Sequence, residues 1–161
     1  MTVAQLGVDR TTSTPVVILK ETAGERTLPI WIGPAEAAAI AIEMRGEKPA
    51  RPMTHDLLKS LLKGLGGDLK RVLIAGLREN TYVAQLVVYR GTEIFELDAR
   101  PSDSIALALR TRAPIFAHED LLGREDGDGG EVPPEPTPGQ AETLRQFLSK
   151  LNPEDLGRFQ P

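Results

Sequence analysis

The stretch that decides the fold is VAQLVVYRGTEIFELDARPSDSIALALRTR, residues 83–112, because it repeats an earlier part of the chain. A shift of 67 positions aligns it with VVILKETAGERTLPIWIGPAEAAAIAIEMR, residues 16–45. Gly91 then matches an earlier glycine, and Pro101 matches an earlier proline. Each copy reads as an apolar strand, a turn that contains glycine, an alternating strand and a helix that opens at proline.

Another strand is predicted before each copy, at residues 3–9 and 71–77. The chain therefore reads as two β-β-β-α units. A linking helix is predicted between them at residues 54–67, with Thr54 as its N-cap and Gly66 or Gly67 at its end. Because the hairpin turns imply antiparallel neighbours, we predict the α+β class with antiparallel or mixed sheets.

The composition changes at residue 123. Residues 123–139 contain five glycines and four prolines, which is typical of a flexible linker. Residues 140–161 then predict a short helical tail, in which Leu144, Phe147, Leu148 and Leu151 share one face. We therefore predict one folded domain at residues 1–122, followed by the linker and the tail.

The charge distribution gives no sign of a basic nucleic-acid footprint. Residues 1–122 hold equal numbers of acidic and basic side chains, so the net charge of −4 lies in residues 123–161. A phosphate would have to be bound by a local patch or through a cation. The chain has no cysteine, no apolar run that could span a membrane and no visible secretory signal, so we expect a cytoplasmic location.

A polar group lies where the second copy turns from strand to helix, at Asp98, Arg100, Ser102 and Asp103. Alternation along the strand places Asp98 and Arg100 on one side, beside a helix start that can bind an anion. Two hypotheses remain: an Asp98–Arg100 pair that fixes the corner, or a site for a cation or phosphate. Asp103, like Glu36 in the first copy, is also explained as an acid that stabilises a helix start.

A second polar group lies around the start of the linking helix. His55 and Asp56 fall in its first turn, where a histidine is either a base or metal ligand or simply a polar surface residue. Arg51 could clamp a phosphate through its planar guanidinium. Lys59 and Lys63 lie four residues apart on one helix face, which either binds substrate or is solvated.

Apolar surface is predicted at Trp31 and along the small-residue helix AEAAAIAIEM, residues 35–44. By alternation, Trp31 points away from the side of the strand that we assign to the core. A chain of this size would cover such surface most simply by pairing with a second copy, so we predict a homodimer or a larger homo-oligomer.

Three motifs in order resemble the bifunctional nuclease domain family of bacteria and plants: LPIWIGPAEAAAIA (28–41), RPMTHDLL (51–58) and DARPSDSIALALR (98–110). The resemblance covers about residues 3–122. It implies a compact α+β domain that acts on both RNA and DNA and forms dimers or larger assemblies. It transfers no catalytic residue; the matching polar positions are Glu36, Arg51, His55, Asp56, Asp98, Arg100, Ser102 and Asp103.

From type and spacing, we predict a metal-assisted phosphodiesterase. Asp98 and Asp103, with Glu36 if the two helix starts converge, would bind Mg²⁺ or Mn²⁺. Arg100 and Arg51 would clamp the phosphate, and His55 would be the general base or acid, with Asp56 beside it as a further predicted catalytic residue. Ser102, Lys59 and Lys63 complete the predicted substrate contacts. The alternative is a non-catalytic regulatory or scaffold module that binds a protein or a small anionic ligand.

Overall fold

The computed structural model describes residues 1–9, 12–79 and 81–122, and these form the predicted α+β fold. The linker at 123–139 and the tail at 140–161 lie outside the described residues. In chain order the elements are β1 (Thr2–Val8), β2 (Pro15–Lys20), β3 (Thr27–Trp31), α1 (Pro34–Met44), α2 (Thr54–Gly64), β4 (Asp68–Arg78), β5 (Thr81–Arg90), β6 (Glu93–Ala99), α3 (Pro101–Thr111), β7 (Ile115–Ala117) and a 3₁₀ turn, Glu119–Leu121.

The strands form two sheets within the described residues. The first has the order β1-β2-β3 and the second the order β6-β5-β4-β7. The hairpins pair antiparallel as predicted, whereas β7 runs parallel to β4, with Val72 opposite Ile115. The element order therefore contains the β-β-β-α unit twice, with α2 between the units and one short strand added at the end.

Local sequence signals account for the helix boundaries. Pro34 and Pro101 occupy the first turns of α1 and α3, where the missing N–H leaves no hydrogen bond unmade. Thr54 is the first residue of α2 and not its N-cap, which is Met53. The backbone N–H of Met53 donates to Asp56 Oδ2 at 2.9 Å, so the acid three residues on caps this helix. Gly66, at φ +76°, follows the end of α2 as predicted.

The core joins both sheets to α1 and α3. Leu28, Ile30 and Ile32 are buried as alternation predicts, and the alanines of α1 pack into the same cluster as the central residues of α3. The apolar surface predicted on α1 is therefore covered within the chain, because Ala37–Ala41 is buried. The side chain of Trp31 is partly buried, and its Nε1 donates to Asp9 Oδ2 at 3.0 Å.

The burial of α1 and the partial burial of Trp31 leave less exposed apolar surface than the sequence suggested. The homodimer or larger homo-oligomer stays a prediction. No helix in the described ranges has the length and apolar character needed to cross a membrane.

Candidate active site

The starts of the three helices converge on one cluster of polar side chains. Arg100 precedes α3, and its Nε lies 2.7 Å from Asp103 Oδ2 in the first turn of that helix. Its Nη2 also lies 2.8 Å from Glu36 Oε1, in the first turn of α1. The two helix starts therefore meet, as the sequence hypothesis for Glu36 required. Arg100 pairs with Asp103 and Glu36, so the hypothesis of an Asp98–Arg100 pair, one of the two that the sequence left open, is wrong.

His55 adds the start of α2 to this cluster. Its Nε2 lies 3.1 Å from Asp103 Oδ1, although the two residues are 48 positions apart in sequence. The His55 residue is only 8% exposed, and it is the buried residue of α2. We call Glu36, His55, Arg100 and Asp103 the helix-start network.

Asp103 is the centre of the helix-start network. Its burial acts to raise its pKa, but hydrogen bonds from Arg100 and then from His55 outweigh burial and hold the pKa below its usual value. The same contact raises the pKa of Arg100, chiefly through its hydrogen bonds to Asp103. The carboxylate of Asp103 is therefore ionised at neutral pH and can only accept hydrogen bonds.

The charge on Asp103 determines which nitrogen of His55 bears the proton. An acceptor at Asp103 Oδ1 requires His55 Nε2 to be the donor. In the neutral imidazole this leaves the lone pair on Nδ1, the nitrogen that can accept a proton. A carboxylate that orients an imidazole in this way is a recurring arrangement in acid–base catalysis.

A buried arginine, Arg110, links the three helices that carry the helix-start network. Arg110 Nε donates to Asp56 Oδ1 at 2.7 Å, and its two other nitrogens donate to the carbonyls of Ala106 and Ala39. Its side chain is 2% exposed. Arg110 thus ties α3 to both α1 and α2. The sequence reasoning missed it, although one arginine seven residues after Asp103, within an apolar helix, is a signal for a buried ion pair.

Asp56 was predicted to be catalytic, and the structure gives it two structural partners. It accepts from the backbone of Met53 and from Arg110. Burial acts to raise its pKa, and these two hydrogen bonds, with the charge of Arg110, lower it below the usual value. Asp56 therefore positions the first turn of α2, which presents His55 to Asp103.

The other predicted residues lie around this network in different settings. Asp98 is exposed on β6, where its backbone lies opposite Gln85 of the neighbouring strand β5. Ser102 is buried in the first turn of α3. Lys59 donates to the carbonyl oxygen of Arg110 at 2.7 Å, where it stabilises the end of α3. Arg51 and Lys63 are exposed.

The guanidinium of Arg100 contacts two of the three carboxylates that were predicted to bind a metal ion, those of Glu36 and Asp103. Within the residues described, no three His, Asp or Glu side chains are grouped to hold one. A divalent cation at Glu36 and Asp103 would compete with Arg100 for the same oxygens. The predicted Mg²⁺ or Mn²⁺ site through Asp98, Asp103 and Glu36 therefore stays a prediction, and it requires Arg100 to move.

Comparisons with known proteins agree with the sequence resemblance. The family model of the bifunctional nuclease domain matches residues 17–127. An uncharacterized protein of Mycobacterium tuberculosis is 40% identical over 159 residues, which covers 96% of this chain and 95% of that protein. Bifunctional nuclease 2 of Oryza sativa subsp. japonica is 30% identical over 111 residues, covering 66% of this chain. Bifunctional nuclease 1 of Arabidopsis thaliana is 28% identical over 117 residues, covering 70% of this chain. The matches take in 34% and 36% of the two plant proteins.

Proposed function

The chain belongs to the bifunctional nuclease domain family, and we propose that it hydrolyses phosphodiester bonds of RNA and DNA at the helix-start network. The observation that supports this most strongly is the contact of His55 with Asp103, beside an arginine whose side chain is largely exposed. This arrangement supplies an oriented base and a phosphate-binding cation at one place. The first turns of three helices add partial positive charge, which favours a bound phosphate.

If the protein cleaves both RNA and DNA, the nucleophile that attacks phosphorus must be one that both substrates allow. DNA has no 2′-hydroxyl, so one mechanism for both substrates requires a water molecule to attack phosphorus. In our proposal, His55 Nδ1 takes a proton from this water as its oxygen bonds to phosphorus. The bond from phosphorus to the leaving sugar oxygen breaks, and that oxygen then takes up a proton.

Arg100 is proposed to bind the phosphate. Its Nε and Nη2 face Asp103 and Glu36, while Nη1 provides two further N–H donors. A planar guanidinium suits phosphate oxygens and stabilises the charge that develops on them. The residues 1–122 are neutral overall, so a local cation of this kind is needed. Exposed Arg51, just before α2, is proposed as a second phosphate contact.

One observation favours the alternative of a non-catalytic module that binds an anionic ligand. His55 is buried, and its Nε2 is hydrogen-bonded to Asp103. Both carboxylate oxygens of Asp103 in turn accept hydrogen bonds from His55 and Arg100. Such mutually paired side chains also suit a rigid corner that joins three helices. In that reading, Arg100 would bind the ligand and His55 would transfer no proton.

An assay on the purified full-length protein separates these functions. Labelled single-stranded RNA and DNA would be incubated with wild-type protein, with added Mg²⁺ or Mn²⁺ and separately with EDTA. His55→Ala, purified in parallel, controls for a contaminating nuclease, and its fold is checked by circular dichroism. We expect wild type to cut both substrates and His55→Ala to be about 10²–10⁴-fold slower. Folded wild-type protein that cuts neither substrate under any of these conditions would refute the proposal.

A further inference from the structure

Helix α2 exposes a continuous stripe of leucines. Leu57, Leu58, Leu61 and Leu65, just past its end, are 54%, 43%, 53% and 71% exposed. At 3.6 residues per turn, these four positions fall within about 100° of arc, so they form one apolar face. Large apolar side chains are ordinarily scattered over a surface, and a stripe of this kind marks a site of contact.

The chain itself contains a segment with a matching pattern. After the linker at 123–139, the positions Leu144, Phe147, Leu148 and Leu151 also fall within about 100° of arc on a helix. They would span about 10 Å along the helix axis, and Leu57 to Leu65 spans about 12 Å. The two stripes therefore agree in width and in length.

The linker is long enough to bring the two stripes together. The 17 residues from 123 to 139 reach about 55 Å when extended, whereas a domain of this size has a radius of gyration of about 14 Å. A tether of this length holds the tail at a high effective concentration over the whole surface, so even a weak contact is favoured within one chain.

A relative also shares this part of the chain. The match to the Mycobacterium tuberculosis protein covers 96% of the present sequence, so it must include residues 141–151. The plant matches cover 66% and 70% and are too short to include both the domain and the tail.

We propose that residues 141–151 dock as an amphipathic helix on the leucine stripe of α2 in the same chain. Leu57, Leu58, Leu61 and Leu65 would pack against Leu144, Phe147, Leu148 and Leu151. The docked segment lies along the helix that positions His55. In this proposal, the tail of the same chain covers the exposed face of α2.

Disulfide cross-linking of full-length protein tests the docking, because the chain has no native cysteine. The test variant is Leu61→Cys/Leu148→Cys. The matched control is Lys63→Cys/Leu148→Cys, in which the α2 cysteine lies on the opposite face of the same helix. Random motion of the tethered tail would bring the two cysteines together equally often in both variants. A faster rate of disulfide formation in one variant therefore reports docking. Each is oxidised at micromolar concentration, and the products are separated by non-reducing electrophoresis and peptide mapping.

We expect the Leu61 pair to form an intramolecular disulfide at least about tenfold faster than the Lys63 pair, at a rate that dilution does not change. Equal rates in the two variants would overturn the proposal. Cross-linked dimers that dominate and decline on dilution would also overturn it, since they would place a second copy on the stripe.

A second measurement does not depend on cysteine chemistry. Leu148→Asp should increase hydrogen exchange of the α2 amides relative to wild type, and Lys150→Asp, outside the apolar face, should not. If Leu148→Asp leaves α2 exchange unchanged, the tail does not protect α2 and the proposal fails.

Discussion

Arg100 Nη2 lies 2.8 Å from Glu36 Oε1, so an arginine of the second β-β-β-α unit contacts the acid of the first unit. In the 67-residue shift, Glu36 is the counterpart of Asp103, which Arg100 contacts as well. The counterpart of Arg100 is Gly33, where an added Cβ would collide with the carboxylate of Glu36. The two units thus contribute two carboxylates and a single arginine between them, which gives the duplicated fold an asymmetric site.

The first prediction separates a catalytic network from helix stabilisation. Asp103→Asn keeps a side chain that fits a helix start and removes the charge that orients His55 and Arg100. We expect a stability loss of about 1–2 kcal/mol, because the amide oxygen can still accept a hydrogen bond from His55 while the charge at the helix start is lost. Nuclease activity should fall by about 10²-fold or more. Urea unfolding and cleavage of labelled RNA and DNA measure the two effects.

Asp68→Asn is the matched control for this variant. Asp68 is exposed, and it too pairs with a basic side chain, Lys70, at 2.6 Å. Because an exposed pair contributes little, this variant should retain both stability and activity. Full activity in Asp103→Asn would mean that Asp103 only supports the helix.

The second prediction tests two of the three carboxylates of the Mg²⁺ or Mn²⁺ site inferred from the sequence, Glu36 and Asp103. Arg100→Gln removes the cation that neutralises Glu36 and Asp103, so the two carboxylates become available to a divalent ion. Binding to the folded state alone raises its stability. We therefore expect Mg²⁺ to raise the melting temperature of Arg100→Gln by more than it raises that of wild type, with EDTA reversing the difference.

Arg90→Gln controls for the loss of a surface charge, because among the described residues Arg90 pairs with the single carboxylate of Glu93. It should respond to Mg²⁺ like wild type. An equal response in all three proteins would show that Glu36 and Asp103 do not form a metal site even when freed.

The third prediction concerns Asp56 and acid stability. Asp56→Asn leaves the buried Arg110 with a neutral partner, which should cost about 1–3 kcal/mol. The lowered pKa of Asp56 means that its charge stabilises the fold above the ordinary pKa, about 4, and that this contribution is lost as the pH falls through the folded-state value. The stability difference between wild type and Asp56→Asn should therefore be constant from pH 7 to 5 and shrink below pH 4.

Urea unfolding of both proteins at each pH measures this difference. A gap that stays unchanged down to pH 3 would mean that the charge of Asp56 does not stabilise the fold. If Asp56 only positions α2, the folded variant should also lose less activity than His55→Ala does.

The fold was largely predictable because its signals are local. Proline at helix starts, glycine in turns and strict alternation are each read from a few neighbouring residues, and they gave both β-β-β-α units and the linking helix. Strand β7 was missed since three residues, Ile115–Ala117, are too few to show a period. Its place beside β4 depends on pairing across more than 40 positions.

The site was only partly predictable, because its contacts depend on how the helices cross. The sequence pointed to His55, Arg100 and Asp103, but alternation along the strand offered Asp98 as one possible partner of Arg100. Arg100 occupies the N-cap position of α3, and its side chain lies over the first turn of that helix, where it contacts Asp103, and not on the face of β6. The contact of His55 with Asp103 follows from packing of α2 on α3, which no local pattern specifies.

The last prediction is that the domain folds without the tail. The buried core of the described residues is built from both sheets, α1 and α3, and it ends at Leu121, with Leu122 packed against it. Deletion of residues 124–161 removes none of these side chains. We expect the shortened protein to unfold cooperatively, with a melting temperature within a few degrees of wild type, because a tail that docks on the surface contributes little to the core.

Deletion of residues 118–161 is the control, because it also removes the buried Leu121 and the 3₁₀ turn that holds it. Losing a buried leucine should lower stability by about 2–5 kcal/mol. Calorimetry on both truncations and wild type makes the comparison. If the shorter deletion already abolishes cooperative unfolding, residues 124–161 complete the core, and the domain boundary predicted at residue 122 is wrong.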